Sequence, residues 1–251
     1  MTTVKNIYDY INSIAPYSSQ EEWDNSGHLI GDFRKQVNKV VMSLDCTKET
    51  VDYAVSVGAD LVLSHHPVIF SGLKNIKNGT AVYKLVNNDI AFICAHTNFD
   101  KSSVGISQKL AEMLELEKKT TICDDSVVVG ELVNEMSVDD FALFVSQKLD
   151  VQGIRYTQSD KLIKRVSVCG GAGSEFMFDA LTQSDCYVTG DLDYHEMLDA
   201  SEENYAVISA GHFETENLPF LSLKNRLEQI FTDVEFYISP QTNPIKTISE
   251  Y

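Results

Sequence analysis

An apolar run that ends in two adjacent histidines and a proline, Leu61-Val62-Leu63-Ser64-His65-His66-Pro67, constrains this chain more than any other stretch. Its length suits a strand buried on both faces, as in parallel sheets covered by helices. In an open α/β sheet the ligand crevice lies beyond the carboxyl ends of the strands, so imidazoles placed there face a site and not the core. A single histidine at such a point is more often structural. Two in succession make His65 and His66 the first candidate metal ligands.

The flanking segments alternate in kind. Val4, Ile7, Tyr8, Ile11 and Ile14 recur at spacings of three and four, which predicts an amphipathic helix over 2–14 with Thr3 able to cap it. A turn-rich segment, Glu21-Glu22-Trp23-Asp24-Asn25-Ser26-Gly27-His28, holds the only tryptophan and leads into a short strand. Val40-Val41-Met42-Ser43-Leu44-Asp45 reads as a buried strand, followed by a helix from Thr47 to about Ser56 that Gly58 closes. A helix near 80–88 follows, then a third strand, Ile90–Ala95, which ends in His96-Thr97-Asn98-Phe99-Asp100. A helix from about Val104 to Leu116 completes this half. Strand, helix, strand is the signature of the α/β class.

Residues 117–135 are charged or alternating, and a boundary here gives 1–122 and 123–251 as the expected domains. A helix capped at Ser137 and a short strand at Ile154-Arg155-Tyr156 open the second half. From residue 165 the first half is written again. Arg165–Cys169 parallels Lys39–Ser43, Cys186–Asp191 parallels Leu61–His65, and Tyr205–His212 parallels Ile90–His96. Val40 to Leu61 and Val166 to Tyr187 are both 21 residues apart. The expected fold is therefore two interlinked, topologically similar α/β domains, a duplicated unit, with a site in the cleft between them.

Composition narrows the function classes. A formal charge of −17 argues against nucleic acid or an anionic membrane as partner, since no basic stripe is available to displace counterions. Nowhere do 18 consecutive residues lack polar groups, so no membrane span is expected. Five scattered cysteines, with no CxxC pair, fit buried thiols in a reducing compartment, and the expected location is cytoplasmic.

The strand ends supply His65, His66, His96 and Asp100 from the first half, and Asp191, His195, His212, Glu214 and Glu216 from the second. Five of the six histidines fall in these stretches. Imidazoles and carboxylates at this density suit a first-row divalent ion, or a pair if one carboxylate bridges. Plainer roles stand beside this: Asp191 and His195 could cap a helix over Leu192–Ala200, and Glu214 and Glu216 could begin the helix after 217. Gly170-Gly171-Ala172-Gly173 lacks a phosphate-loop lysine and reads better as a tight turn. No GxSxG elbow supports acyl-enzyme chemistry.

Ser-His-His-Pro at 64–67, Ala-His-Thr-Asn-Phe-Asp at 95–100, Thr-Gly-Asp-Leu-Asp-Tyr-His at 189–195 and Gly-His-Phe-Glu-Thr-Glu at 211–216 occur in one order after Glu-Glu-Trp-Asp-Asn-Ser-Gly at 21–27. Together they closely resemble the GTP cyclohydrolase 1 type 2 homologues, also called NIF-three-like proteins. The resemblance implies two α/β domains, a toroidal homohexamer and a dinuclear metal centre. It makes His65, His66, Asp100, His212 and Glu216 the metal ligands, with His96 and His195 beside the metals as acid/base groups. His28 stands where relatives usually carry an apolar residue, and Phe99 and Phe213 where Leu and Tyr are common. The length suggests that the middle domain of longer relatives is missing.

The expected function is a metal-dependent hydrolase with two divalent ions per subunit (zinc, iron, manganese or nickel) acting on a nucleotide or other small molecule. Glu216 is the favoured bridge and Asp100 the other candidate. The alternative is a non-catalytic metal-binding or regulatory assembly that acts through a partner protein.

Overall fold

The computed structural model describes residues 1–151 and 153–247. Its strands run in chain order as β1 (Gly27–Ile30), β2 (Lys39–Ser43), β3 (Leu61–Ser64), β4 (Ala91–Cys94), β5 (Glu117–Ile122) and β6 (Val127–Met136). They continue as β7 (Arg155–Tyr156), β8 (Ile163–Val168), β9 (Cys186–Thr189), β10 (Ala206–Ser209) and β11 (Glu235–Ile238). The helices are α1 (Val4–Ile14), α2 (Lys48–Val57), α3 (Ala81–Asn87), α4 (Thr97–Asp100) and α5 (Ile106–Met113). After them come α6 (Val138–Leu149), α7 (Met177–Leu181), α8 (Tyr194–Glu202), α9 (His212–Leu221) and α10 (Leu223–Ile230).

Two compact units result, and the chain passes between them more than once. The first comprises Met1–Val104 and Phe220–Thr242, the second Gly105–Pro219 with the chain from Asn243. Residues 105–122, expected in the first half, thus belong to the second unit, and 220–242 return to the first. Pairing explains both shifts. The 117–135 segment, expected as a boundary, folds as an antiparallel hairpin of β5 and β6 on the second sheet, and β11 pairs in parallel with β2 on the first.

The first unit holds a five-stranded sheet of order β1-β4-β3-β2-β11, parallel except for β1. Every residue of β3 and β4 is buried, as an apolar run in a two-sided sheet requires. Val41, Val62 and Phe92 pack on one face with Val51 and Ala54 of α2 and Leu85 of α3. Local chemistry sets the helix ends. Thr3 and Asn6 form a reciprocal cap on α1, Thr47 caps α2, and Gly58 closes α2 in the left-handed region at φ 69°.

The second unit holds a six-stranded sheet of order β5-β6-β8-β9-β10-β7. Alternate residues face opposite helical layers. Cys186, Val188, Ala206 and Ile208 pack with α5 and α6, whereas Tyr187 and Val207 pack with α7 and α8. The two units are topologically similar. In each, three parallel strands follow one another across the sheet, and a short antiparallel strand that precedes them in sequence pairs with the third, β1 on β4 and β7 on β10. The registers differ slightly: Val40 pairs with Leu61, but Val166 pairs with Cys186 and not Tyr187. No helix among the described residues is long and apolar enough to cross a membrane.

Candidate metal centre

β3 delivers the first two candidates as it ends. His65 is fully buried, and its backbone N–H bonds the Ser43 carbonyl at 3.2 Å. Its Nδ1 lies 2.8 Å from the Ala95 carbonyl oxygen. A carbonyl only accepts, so Nδ1 carries and donates the ring hydrogen, which leaves the lone pair of the neutral ring on Nε2. That Nε2 is 3.5 Å from Oδ1 of Asp100 in α4. His66 is built the same way, with Nδ1 2.7 Å from Oδ1 of Asp45, two residues past the end of β2. Gln241 holds Asp45 in turn. Its Nε2 donates to Asp45 Oδ2 and its Oε1 accepts the Asp45 backbone N–H, each at 3.1 Å.

His96, just beyond β4, completes a triangle of imidazoles with centroids 5.0, 5.1 and 5.4 Å apart. One ring nitrogen of each lies within 4.8 Å of the others. Nδ1 of His96 is 2.8 Å from Oδ1 of Asp24, whose side chain is fully buried. Asp24 also accepts from the Thr97 N–H at 3.1 Å, the Thr97 hydroxyl at 2.6 Å and the Ser26 hydroxyl at 2.8 Å. Burial pushes the Asp24 carboxyl up, but the hydrogen bonds from His96, Thr97 and Ser26 overcome this and hold it well below the usual carboxylate range. The buried amide of Asn98 ties the same turn to the Ala15 carbonyl at 2.7 Å.

In the second unit His212 opens α9. Its Nδ1 is 2.7 Å from Oδ2 of Asp191, and its Nε2 is 3.1 Å from Oε2 of Glu216 one turn on. Burial pulls the His212 imidazole down, yet the two carboxylates outweigh it and raise the group to about 10. Glycine permits the close approach of this turn. A Cβ on Gly190 would sit 2.6 Å from the Gly171 carbonyl oxygen and 2.8 Å from the His212 Cα. One on Gly171, at φ 63°, would meet Oε1 of Glu216 at 2.0 Å. The Gly170–Gly173 turn therefore serves packing against α9.

Four histidines thus share one construction, with Nδ1 held by an oxygen. Metal-ligating histidines are commonly oriented in this way. Tetrahedral donors on bonds of about 2.1 Å lie roughly 3.4 Å apart. The separations of 3.5 Å for His65 and Asp100 and 3.1 Å for His212 and Glu216 match that spacing. The donors therefore fit a borderline divalent ion of the zinc, iron, manganese or nickel kind.

The other expected residues are placed differently. His195 is exposed in the first turn of α8, with its ring 5.3 Å from that of Tyr194. Asp193, rather than Asp191 or His195, is the α8 cap, and Glu196 accepts its backbone N–H at 2.6 Å. Glu214 accepts from the Asn243 amide at 2.7 Å. Sequence reading did not single out Asp24, Asp45 or Gln241. Their signal was slight: Asp24 lies in a conspicuous turn and Asp45 just past a strand.

The family profile described as Duf34/NIF3 (NGG1p interacting factor 3) matches residues 2–244. A Clostridium perfringens protein named GTP cyclohydrolase 1 type 2 homolog is 32% identical over 95% of this chain and 96% of its own length. A protein of the same name from Clostridium acetobutylicum is 31% identical over 90% and 89%. Among solved structures, a hypothetical protein of Staphylococcus aureus superposes with a TM-score of 0.91 at 28% identity, covering 98% of this chain and 99% of that one. A match spanning almost the whole sequence, together with the shared fold, shows that the chain belongs to the DUF34/NIF3 family.

Proposed function

We propose that this protein is a dinuclear metal-dependent hydrolase whose metal ligands are His65, His66, Asp100, His212 and Glu216. The observation that supports the reading is the common anchoring of His65, His66, His96 and His212 through Nδ1, the orientation usual for metal-ligating histidines. When bound, divalent ions supply Lewis acidity and lower the pKa of water toward neutrality. Glu216 and Asp100 would supply the carboxylate oxygens that hold the ions.

The chain's own contribution to turnover is proton transfer and orientation. His96 takes a proton from water and hands it to a leaving group, while the Asp24 carboxylate fixes its tautomer and stabilises the imidazolium. His195, exposed on α8, is a second acid/base candidate. The substrate is a nucleotide or another small molecule. Ring opening of GTP, which the relatives' name suggests, is one candidate reaction. We further read the working form as a cytoplasmic toroidal homohexamer, a size that light scattering measures directly.

Anaerobic purification with metal analysis, followed by a screen of nucleotides and other small molecules, tests the function. The double variant H65A/H66A is expected to lose bound metal and turnover together. Retention of two ions per chain in that variant would overturn the ligand assignment. A metal-replete protein that turns over nothing, and whose cobalt-substituted spectrum ignores small anions, would instead support a non-catalytic assembly acting through a partner protein.

A further inference from the structure

Two aromatic rings stand against His96 without taking part in its anchoring. Trp23 meets the imidazole edge-to-face at 5.8 Å and 73°, and Phe70 meets it at 5.7 Å and 89°. Both stay largely in solvent, Trp23 at 62% and Phe70 at 51% exposure. Free aromatic faces of this size contribute little to a fold, and grouped exposed apolar surface marks recognition.

The backbone beneath these rings is firmly tied. Trp23 precedes Asp24, whose buried carboxylate binds the turn to His96, Thr97 and Ser26. The next residue, Asn25, donates its side-chain amide to the Ile69 carbonyl at 2.6 Å, immediately before Phe70. The two segments are thus joined to each other, and the first to His96. Rings presented on an anchored backbone lose little entropy when a ligand arrives.

We propose that Trp23 and Phe70 form a stacking subsite for a planar heteroaromatic ring of the substrate, which sets the bond to be cleaved beside His96. Which bond is cleaved rests on the hydrolase reading above, but recognition of the ring does not. Stacking uses the π-face common to all nucleobases, so the subsite accepts different bases and discriminates against a sugar phosphate that lacks one.

The tryptophan is the only one in the chain, so intrinsic fluorescence reports this ring alone. Titration of the metal-loaded full-length protein with guanosine should quench it saturably, and ribose 5-phosphate should not. Phe70→Leu should weaken guanosine binding roughly tenfold, the scale of one lost stacking partner, with metal content unchanged. Trp23→Ala should do the same by calorimetry, and Trp23→Phe should restore binding. No saturable response to guanosine, an equal response to ribose 5-phosphate, or unaltered binding in both Phe70→Leu and Trp23→Ala would overturn the subsite. Metal content and turnover measured on the same samples separate the two readings. Ring binding without turnover of any nucleotide removes the hydrolase alone, and turnover without ring binding removes the subsite alone.

Discussion

Asp24 accepts a 2.8 Å hydrogen bond from Nδ1 of His96 across 72 residues of sequence, and it does so with a fully buried side chain. An asparagine there would keep one acceptor oxygen but put amide hydrogens where a carboxylate oxygen now accepts from the Thr97 N–H or from His96, and it would remove the charge that these hydrogen bonds stabilise. Asp24→Asn should therefore destabilise the protein by about 3 kcal/mol, read as a lower denaturant midpoint. The pH dependence follows from the depressed folded pKa. The contribution of Asp24 is complete above the ordinary carboxylate value near 4 and is lost as pH falls toward the lower folded value. Acid titration of stability should be flatter in the variant than in the parent, and identical slopes would contradict the assignment.

Asp45 is the acceptor that orients His66, and Gln241 grips Asp45 through two hydrogen bonds. Asp45→Ala should weaken metal binding by about 10–100-fold, the usual effect of removing a partner behind a ligating histidine. Gln241→Ala, one step further back, should weaken it less. Competition against a chromophoric chelator measures both, and an effect of Gln241→Ala larger than that of Asp45→Ala would show that orientation of His66 does not run through Asp45.

Much of this fold is legible along the chain because its cues are local. Thr3, Thr47 and Ser137 cap the helices that follow them, and the apolar runs at 61–64 and 91–94 become strands with every residue buried. β5 escaped because Glu117-Lys118-Lys119 presents a charged, largely exposed edge, which carries almost no hydrophobic signal. β11 escaped because its identity depends on pairing with β2, almost 200 residues earlier. The same physics divides the site. Histidines at strand ends announce themselves by position, whereas the oxygens that orient them come from remote segments, such as Asp24 for His96 and Ala95 for His65. Spacing along a sequence encodes none of those partnerships.

Gly190 and Gly58 offer a contrast between space and backbone conformation. A Cβ at Gly190 would press on the Gly171 carbonyl and on the backbone of His212, the first residue of α9. Gly58 has open space around it but a left-handed backbone at φ 69°. Gly58→Ala should cost about 1 kcal/mol from conformation alone. Gly190→Ala should cost more, at least about 2 kcal/mol, and should also reduce metal retention through the displaced His212. Thermal melts of the two variants with metal analysis test this, and equal shifts would show that α9 has room to move.

On the proposed ligand assignment, a metal that binds His212 must displace a proton. The carboxylate neighbours of His212 raise it to about 10 from an ordinary 6.5, so in metal-free protein it is protonated at neutral pH. The sign is that of a raised base. Its contribution to metal-free stability is fully present below 6.5 and disappears as pH climbs through about 10. A metal binds only the deprotonated ring, so within this window each unit of pH should raise apparent affinity about tenfold, with one proton released per event at this residue. Calorimetric titration with zinc in buffers of different ionisation enthalpy counts that proton. His212→Ala should remove one proton from the count as well as weaken binding. If the variant loses affinity while the proton count stays unchanged, His212 does not meet the metal through a nitrogen that was protonated beforehand, and its role reduces to packing against Asp191.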